Sequence, residues 1–264
     1  KKSTESNVKS MIEPLTHRGP DGEGTLLLNN DHSIIGLGHK RLSIIDLSSN
    51  GKQPMSFGHL HLTYNGEIYN FQEIKNELVA LGHYFLGESD TEMILHAYLE
   101  WGIKAIEKFI GMFAIVLFDE KQNELFLIRD RAGVKPLFYY NKNNLILFAS
   151  ELKAFHEHPN FEKELDLNAV AAYMQYGNFP TPHCIFKNCQ KFYPGHYLKI
   201  ELTSKNQEQI QYWNVYDYYN KPKSKISYKE AKIKTEQILL SACKYRMVAD
   251  VPVGIFLSGG YDSS

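Results

Sequence analysis

Four short apolar runs, MFAIVLFD, ELFLIRD, PLFYY and LILFAS, fall between residues 112 and 150, with the turn-forming stretches DEKQN and NKNN punctuating them. Runs this short, this rich in β-branched and aromatic residues and this closely spaced read as an antiparallel series of strands. Apolar runs at 24–28, 33–37 and 60–64, separated by Asn, Asp, Ser and Gly, read as strands too. A short helical opening ending near His17 precedes them, and two helices follow the third strand. The first of these, over 71–81, puts Phe71, Ile74, Leu78 and Leu81 on one face between Asn70 and Gly82; the second opens at Ser89 with Glu92 three residues on, a capping box. Strands and helices thus cluster instead of alternating, which predicts a layered α+β domain over residues 1–202 in preference to a doubly wound sheet.

Residues 203–226 are polar, rich in Tyr and Lys and without a clean period, and read as a linker on the surface. Ser227 and Glu230 form another capping box, opening a helix to about Val248, and VPVGIFL then reads as a buried strand running into SGGYDSS. Residues 227–264 are therefore expected to open a second, α/β unit.

Bulk properties exclude several classes. Across 264 residues, 43% of them hydrophobic, the formal net charge is -1, which lacks the electrostatic footprint of a nucleic-acid or membrane-surface binder. No run reaches the length of a spanning helix and the opening KKSTESNVKS has no apolar signal core, so a cytoplasmic setting is expected. Cys184, Cys189 and Cys243 are odd in number and lack zinc-ligand spacing, and so read as reduced thiols.

SGGYDSS, Ser258 to Ser264, is the most specific local signal. Glycines let successive backbone N–H groups converge on an anion while the flanking hydroxyls add donors. A glycine turn between strand and helix is the plainer reading of SGG alone, and the stretch lacks the lysine and spacing of a Walker A loop. VPVGIFLSGGYDSS resembles the pyrophosphate-binding loop of the ATP-pyrophosphatase group in the form carried by asparagine synthetases, with Tyr261 where leucine is usual. That resemblance implies ATP with Mg2+ as cofactors, bound through Leu257, Ser258, Gly259, Gly260, Asp262 and Ser263, with Asp262 near the magnesium.

Upstream, HRGPDGEG (17–24), GHKRLSIIDL (38–47), YNGEIYN (64–70), ESDTE (88–92) and RDRAGVKPLFYY (129–140) stand in the order of the N-terminal glutaminase domain of the same family. The resemblance implies a four-layer αββα sandwich of antiparallel sheets of the Ntn-hydrolase type, followed by the first helix and strand of an ATP-pyrophosphatase domain. Glutamine presents a carboxylate and an ammonium, so its site needs a forked cation and an acid; Arg41 and Asp90 supply them. Amide hydrolysis passes through an oxyanion, for which the Asn65 side-chain N–H and the Gly66 backbone N–H match the family's donors. Glu67 completes that turn, and the resemblance places the backbone of Leu42, Ser43, Ile44 and Ile45 along the glutamine. Each has a plainer reading: Arg41 as a structural ion-pair partner, Asp90 as a helix cap, NGEIYN as a hairpin turn. Arg129, Asp130, Arg131, Glu151 and Lys153 read as architectural.

The family's nucleophile is a cysteine at the mature N-terminus, activated by its own α-amine. Lys1 stands at the start here and no cysteine precedes Cys184, so this stretch by itself is expected not to hydrolyse glutamine. The function implied is glutamine-dependent asparagine synthesis, with ammonia passed to an ATP-activated aspartate. Partners are glutamine, ATP and aspartate or another carboxylate acceptor, with no nucleic acid and no membrane, and a homodimer among the assemblies allowed. The alternatives are the same architecture serving another acceptor, in surface-polysaccharide or secondary-metabolite synthesis, and a scaffold homologue without nucleophile.

Overall fold

The computed structural model describes residues 4–31 and 33–261. Helix α1 (Glu5–Ile12) is capped by Thr4, whose hydroxyl accepts from the Asn7 amide, and passes into a tighter 3-10 turn over Glu13–Arg18. A hairpin of β1 (Gly22–Asn29) and β2 (Ile34–Arg41) follows, then β3 (Met55–Phe57) and β4 (Leu60–Ile68). Helices α2 (Phe71–Ala80) and α3 (Asp90–Trp101) precede the predicted series of β5 (Gly111–Asp119), β6 (Glu124–Arg129), β7 (Phe138–Lys142) and β8 (Leu145–Ala149). The rest comprises α4 (Lys153–His156), α5 (Leu167–Tyr176), β9 (Cys189–Lys191), β10 (His196–Glu201), β11 (Gln207–Gln211), α6 (Tyr216–Tyr219) and α7 (Tyr228–Tyr245).

Every strand pair is antiparallel. Six strands in the order β11-β10-β6-β5-β4-β3 form one sheet; β1-β2 and β8-β7-β9 form two smaller ones. The side-chain period of two assigns each strand two faces. On β5, Phe113, Ile115 and Leu117 join Leu62 and Tyr64 of β4 against α2 and α3, while Ala114, Val116 and Phe118 face Ile35 and Leu37 of β2 and Leu137. Burial on both faces explains why MFAIVLF reads as an unbroken apolar run. On the far side of the smaller sheets, Tyr140 and Leu147 pack against Phe155 of α4, with Met11 of α1 beside them. Helices, sheet, sheets and helices make the expected four layers, and each large side chain fully buried in them contributes roughly 1.5–3 kcal/mol.

The structure corrects four local expectations. Residues 203–226 are more than linker, because Gln207–Gln211 adds an edge strand to β10. Only Ile210 of β11 is half-buried, and its glutamines face water, as suits an exposed edge. VPVGIFL forms no strand: Ile255 is 74% and Phe256 101% exposed, since no strand among the described residues pairs with it. At α3 the capping box is half-made. Ser89 Oγ accepts from the Glu92 amide, but the Glu92 carboxylate turns to the amides of Leu86 and Gly87 at 2.7 and 2.8 Å. NGEIYN is no hairpin turn, for β4 runs through Asn65, Gly66 and Glu67. The Ser227–Glu230 capping box does form, and α7 ends at Tyr245.

Candidate glutamine site

Asp90 is the first residue of α3 and not its cap, a role Ser89 takes. It is 6% exposed, and its Oδ2 accepts from Tyr64 Oη at 2.8 Å and from the Ile68 amide at 3.1 Å. Burial raises its pKa to about 6, against the hydrogen bonds from Ile68 and Tyr64 that draw it down. A buried carboxylate held this way gains from any cation brought to it.

Arg41 ends β2. Its guanidinium donates to the backbone carbonyls of Ser48, at 2.8 Å, and Asp46, which fix the plane of the fork. Asp46 holds that loop in shape with a positive φ of 52°, its carboxylate accepting from the amides of Ser48 at 3.0 Å and Glu88 at 3.2 Å. Two segments distant in sequence, the loop after β2 and the loop before α3, are thus joined at one side chain.

The direction of the Gly66 N–H follows from the ladder. Gly66 stands opposite Phe113, whose amide donates to Asp130 Oδ2 at 3.2 Å and whose carbonyl accepts from the Asp130 amide at 2.8 Å. Both polar groups of Phe113 therefore point away from β4, which makes this a non-hydrogen-bonded pair and turns the Gly66 N–H to the outer edge of β4. Its neighbours on that edge are satisfied by side chains: the Tyr64 amide donates to Gln53 Oε1 at 2.6 Å and the Ile68 amide to Asp90. A Cβ at residue 66 would lie 2.1 Å from the Met112 carbonyl oxygen, so only glycine fits. Asn65 sits alongside, its Nδ2 3.3 Å from Ser150 Oγ.

These groups share one cavity of about 370 Å³. Its walls include Arg41, Leu42, Ile44, Ile45, Asn65, Gly66, Glu67 and Asp90. Ser43 is not among them, and its amide donates to Asp21 Oδ2 at 2.8 Å. Sequence reasoning missed Gln53 and Lys135 as wall residues. Gln53 carries no motif, whereas Lys135 belongs to RDRAGVKP and could have been found there. Burial lowers the Lys135 pKa while nearby Glu67 raises it, and burial raises that of Glu67 while Lys135 lowers it, so the two form a partly desolvated opposite-charge pair. His39 is pushed down to about 4 by burial and by Arg41, and stays neutral at physiological pH.

Arg129 and Glu151, read as architectural, each hold several partners in place. Arg129 donates to the carbonyls of Lys135 at 2.9 Å, Gly133 at 2.8 Å, and Phe192. Glu151 receives His17 and Arg18 at 3.0 Å and Lys153 at 3.0 Å; burial opposes its charge, but these hydrogen bonds hold its pKa down to about 2.

A second cavity of about 660 Å³ runs between β2 and β8 and shares Arg18, His39, Lys40, Tyr64 and Asn65 with the first. Among the described residues β2 pairs only with β1 and β8 only with β7, so this cleft lies between two strands each paired on one side. Cys184 and Cys189 are buried beside Phe155 and Phe161, Cys243 is exposed on α7, and none of the three lines either cavity.

The expected ATP residues are not gathered. Leu257 is 74% exposed and, with Ser258, Gly259 and Gly260, lines neither cavity. Gly259 has the positive φ, 75°, that suits a phosphate-cradling turn, yet nothing lies within 4 Å of where its Cβ would be. Asp262 and Ser263 lie outside the described residues. No helix among the described residues is long and apolar enough to cross a membrane.

Residues 1–213 match the family model described as "Glutamine amidotransferase domain", and 234–264 match part of the one described as "Asparagine synthase". The putative asparagine synthetase [glutamine-hydrolyzing] 2 of Methanocaldococcus jannaschii is 37% identical over 287 residues, covering 100% of this chain and 53% of the relative. Asparagine synthetase [glutamine-hydrolyzing] 3 of Bacillus subtilis is 37% identical over 96% of this chain and 40% of its own length. A protein of Gibberella zeae named amidase chry2 is 37% identical over 100% of this chain and 38% of its own length. The chain thus spans about half, or less, of these relatives. Among solved structures, the glutamine phosphoribosylpyrophosphate amidotransferase of B. subtilis superposes with a TM-score of 0.60 at 18% identity, over 80% of this chain and 47% of that one, which is a likeness of fold.

Proposed function

We propose, from the premise that this chain belongs to the glutamine amidotransferase domain family, that the 370 Å³ cavity is its glutamine site. The observation that carries this reading is the convergence on one cavity of a fixed guanidinium, a buried carboxylate and an outward backbone N–H. Arg41 takes the α-carboxylate of L-glutamine and Asp90 its ammonium, and the substrate amide carbonyl then lies at Asn65 Nδ2 and the Gly66 N–H. Those donors await the charge that develops on the carbonyl oxygen once a thiolate attacks. The described residues place no thiol beside them, so this chain alone binds glutamine and does not cleave it.

Calorimetric titration of the chain with L-glutamine is the test. A dissociation constant of roughly 1 mM or below is expected, with no glutamate released and with D-glutamine bound far more weakly. Arg41→Lys should weaken binding about tenfold or more, because an ammonium cannot reproduce the fork. No heat from L-glutamine at millimolar concentration would overturn the reading.

In the protein that carries this sequence we assign the released ammonia to an ATP-activated aspartate, giving asparagine, AMP and pyrophosphate. An arrangement in which the glutamine module runs through β11 and residues 227–264 open the ATP unit, with SGGYDSS and Mg2+ serving ATP, is part of that proposal. ATP would activate the acceptor carboxylate as an adenylate, and the support for it is the SGGYDSS sequence together with the naming of the relatives. The likeness to a protein named as an amidase favours a second reading, another acceptor on the same architecture. Expression of the complete gene separates them: AMP formed with glutamine, Mg2+ and ATP only when aspartate is present supports the first, and glutamate release without any dependence on aspartate, with AMP formed only when another carboxylate acceptor is supplied, supports the second.

A further inference from the structure

The end of α7 and the segment that follows it close onto the glutamine module instead of standing clear of it. Tyr245 Oη donates to Glu73 Oε1 at 2.7 Å, the Arg246 guanidinium lies 5.5 Å from the Tyr69 ring centre, and Val248 packs against the core beneath α2 and α3. Asp250 then makes two hydrogen bonds to the loop after β2: its amide donates to the Ile44 carbonyl at 2.9 Å, and its Oδ2 accepts from the Asp46 amide at 2.7 Å. Ile44 lines the 370 Å³ cavity, and the Asp46 carbonyl is one of the two that hold the Arg41 guanidinium. A carboxylate far along the chain thus holds, by its amide, the residue whose carbonyl aims the candidate carboxylate-binding fork. The same residue stands a few positions before Ser258.

We propose that Asp250 is a positioning residue for the glutamine site: it clamps the turn at Ile44 to Asp46, orients Arg41 through the Asp46 carbonyl, and so ties the affinity for glutamine to the placement of the segment leading into SGGYDSS. The link to glutamine rests on the function proposed above, while the clamp itself rests on the two hydrogen bonds. A loop amide with a carboxylate partner exchanges its hydrogen slowly, and loses that protection when the partner is removed.

The test uses the whole chain with Asp250→Ala and Asp250→Asn. Hydrogen exchange at the Asp46 amide, the NMR signal of the Arg41 guanidinium, L-glutamine affinity and the urea midpoint are read together. Asp250→Ala is expected to speed exchange at Asp46 about tenfold or more, broaden or shift the Arg41 signal, and weaken L-glutamine by about five- to twentyfold at an unchanged midpoint. Asp250→Asn, which keeps an acceptor oxygen, should restore all of these to within about twofold. Unchanged exchange and an unchanged Arg41 signal in Asp250→Ala would overturn the proposal, as would effects that appear only together with a lowered midpoint. If the unsubstituted chain fails to bind L-glutamine while Asp250→Ala still frees Asp46 and Arg41, the glutamine reading falls and the clamp stands.

Discussion

Asp130→Ala is expected to lower the stability of the chain by about 4 kcal/mol, the largest effect of any single substitution considered. The side chain is 1% exposed and accepts from four backbone amides: Phe113 at 3.2 Å, Ala132 at 3.1 Å, Val134 at 2.9 Å and Lys135 at 3.0 Å. Alanine leaves the buried Phe113 amide without an acceptor, which alone costs about 1–3 kcal/mol, and opens the turn that carries Lys135. Asp130→Asn should fall between, since its carboxamide keeps one acceptor oxygen but points N–H donors at N–H donors. Urea unfolding measures both, and a loss below about 1 kcal/mol for alanine would mean that the turn is held by the Arg129 hydrogen bonds instead. The substitution reaches the site as well. The Asp130 carboxylate accepts from the Lys135 amide, and Lys135 lines the cavity.

That dependence explains which features were legible in the sequence. The strand series from β5 to β8 was, because period-two burial on two faces leaves its mark in the residues themselves. Arg41 and Asp90 were expected to meet, and they line one cavity. The reason they share it was not legible: Asp46, Glu88 and Asp250 are joined across loops by carboxylates that accept from backbone amides, and backbone amides have no sequence signature. Gln53 was invisible for the same reason, since its contribution is a single carbonyl oxygen offered to Tyr64. VPVGIFL misled in the opposite sense. Its composition is that of a buried strand, but a strand exists only where another edge accepts its hydrogen bonds, and composition cannot report that.

Asp90 carries the other large effect, and its two consequences have opposite signs. Burial raises its pKa from 3.8 to about 6, so the folded chain holds that proton more tightly than the unfolded one. The folded state is therefore penalised wherever this carboxylate must ionise. The penalty is absent below about pH 3.8, grows as pH rises, and is complete above about pH 6, where the interval corresponds to about 3 kcal/mol. Asp90→Asn, which can still offer one oxygen to Tyr64 and Ile68, removes the charge and with it most of the penalty. The variant should be about 1–3 kcal/mol more stable than the unsubstituted chain at pH 8 and no more stable at pH 4. For glutamine the sign reverses, because the ammonium needs the ionised form: at pH 8 the variant should bind L-glutamine about thirtyfold more weakly or worse. Affinity of the unsubstituted chain should fall as pH drops through about 6, approaching tenfold per pH unit below it, whereas the variant's affinity stays flat across the same range. Equal L-glutamine affinity for the two proteins at pH 8 would remove Asp90 from the site, and a gain in stability without that loss of affinity would leave it a buried carboxylate with a purely structural role.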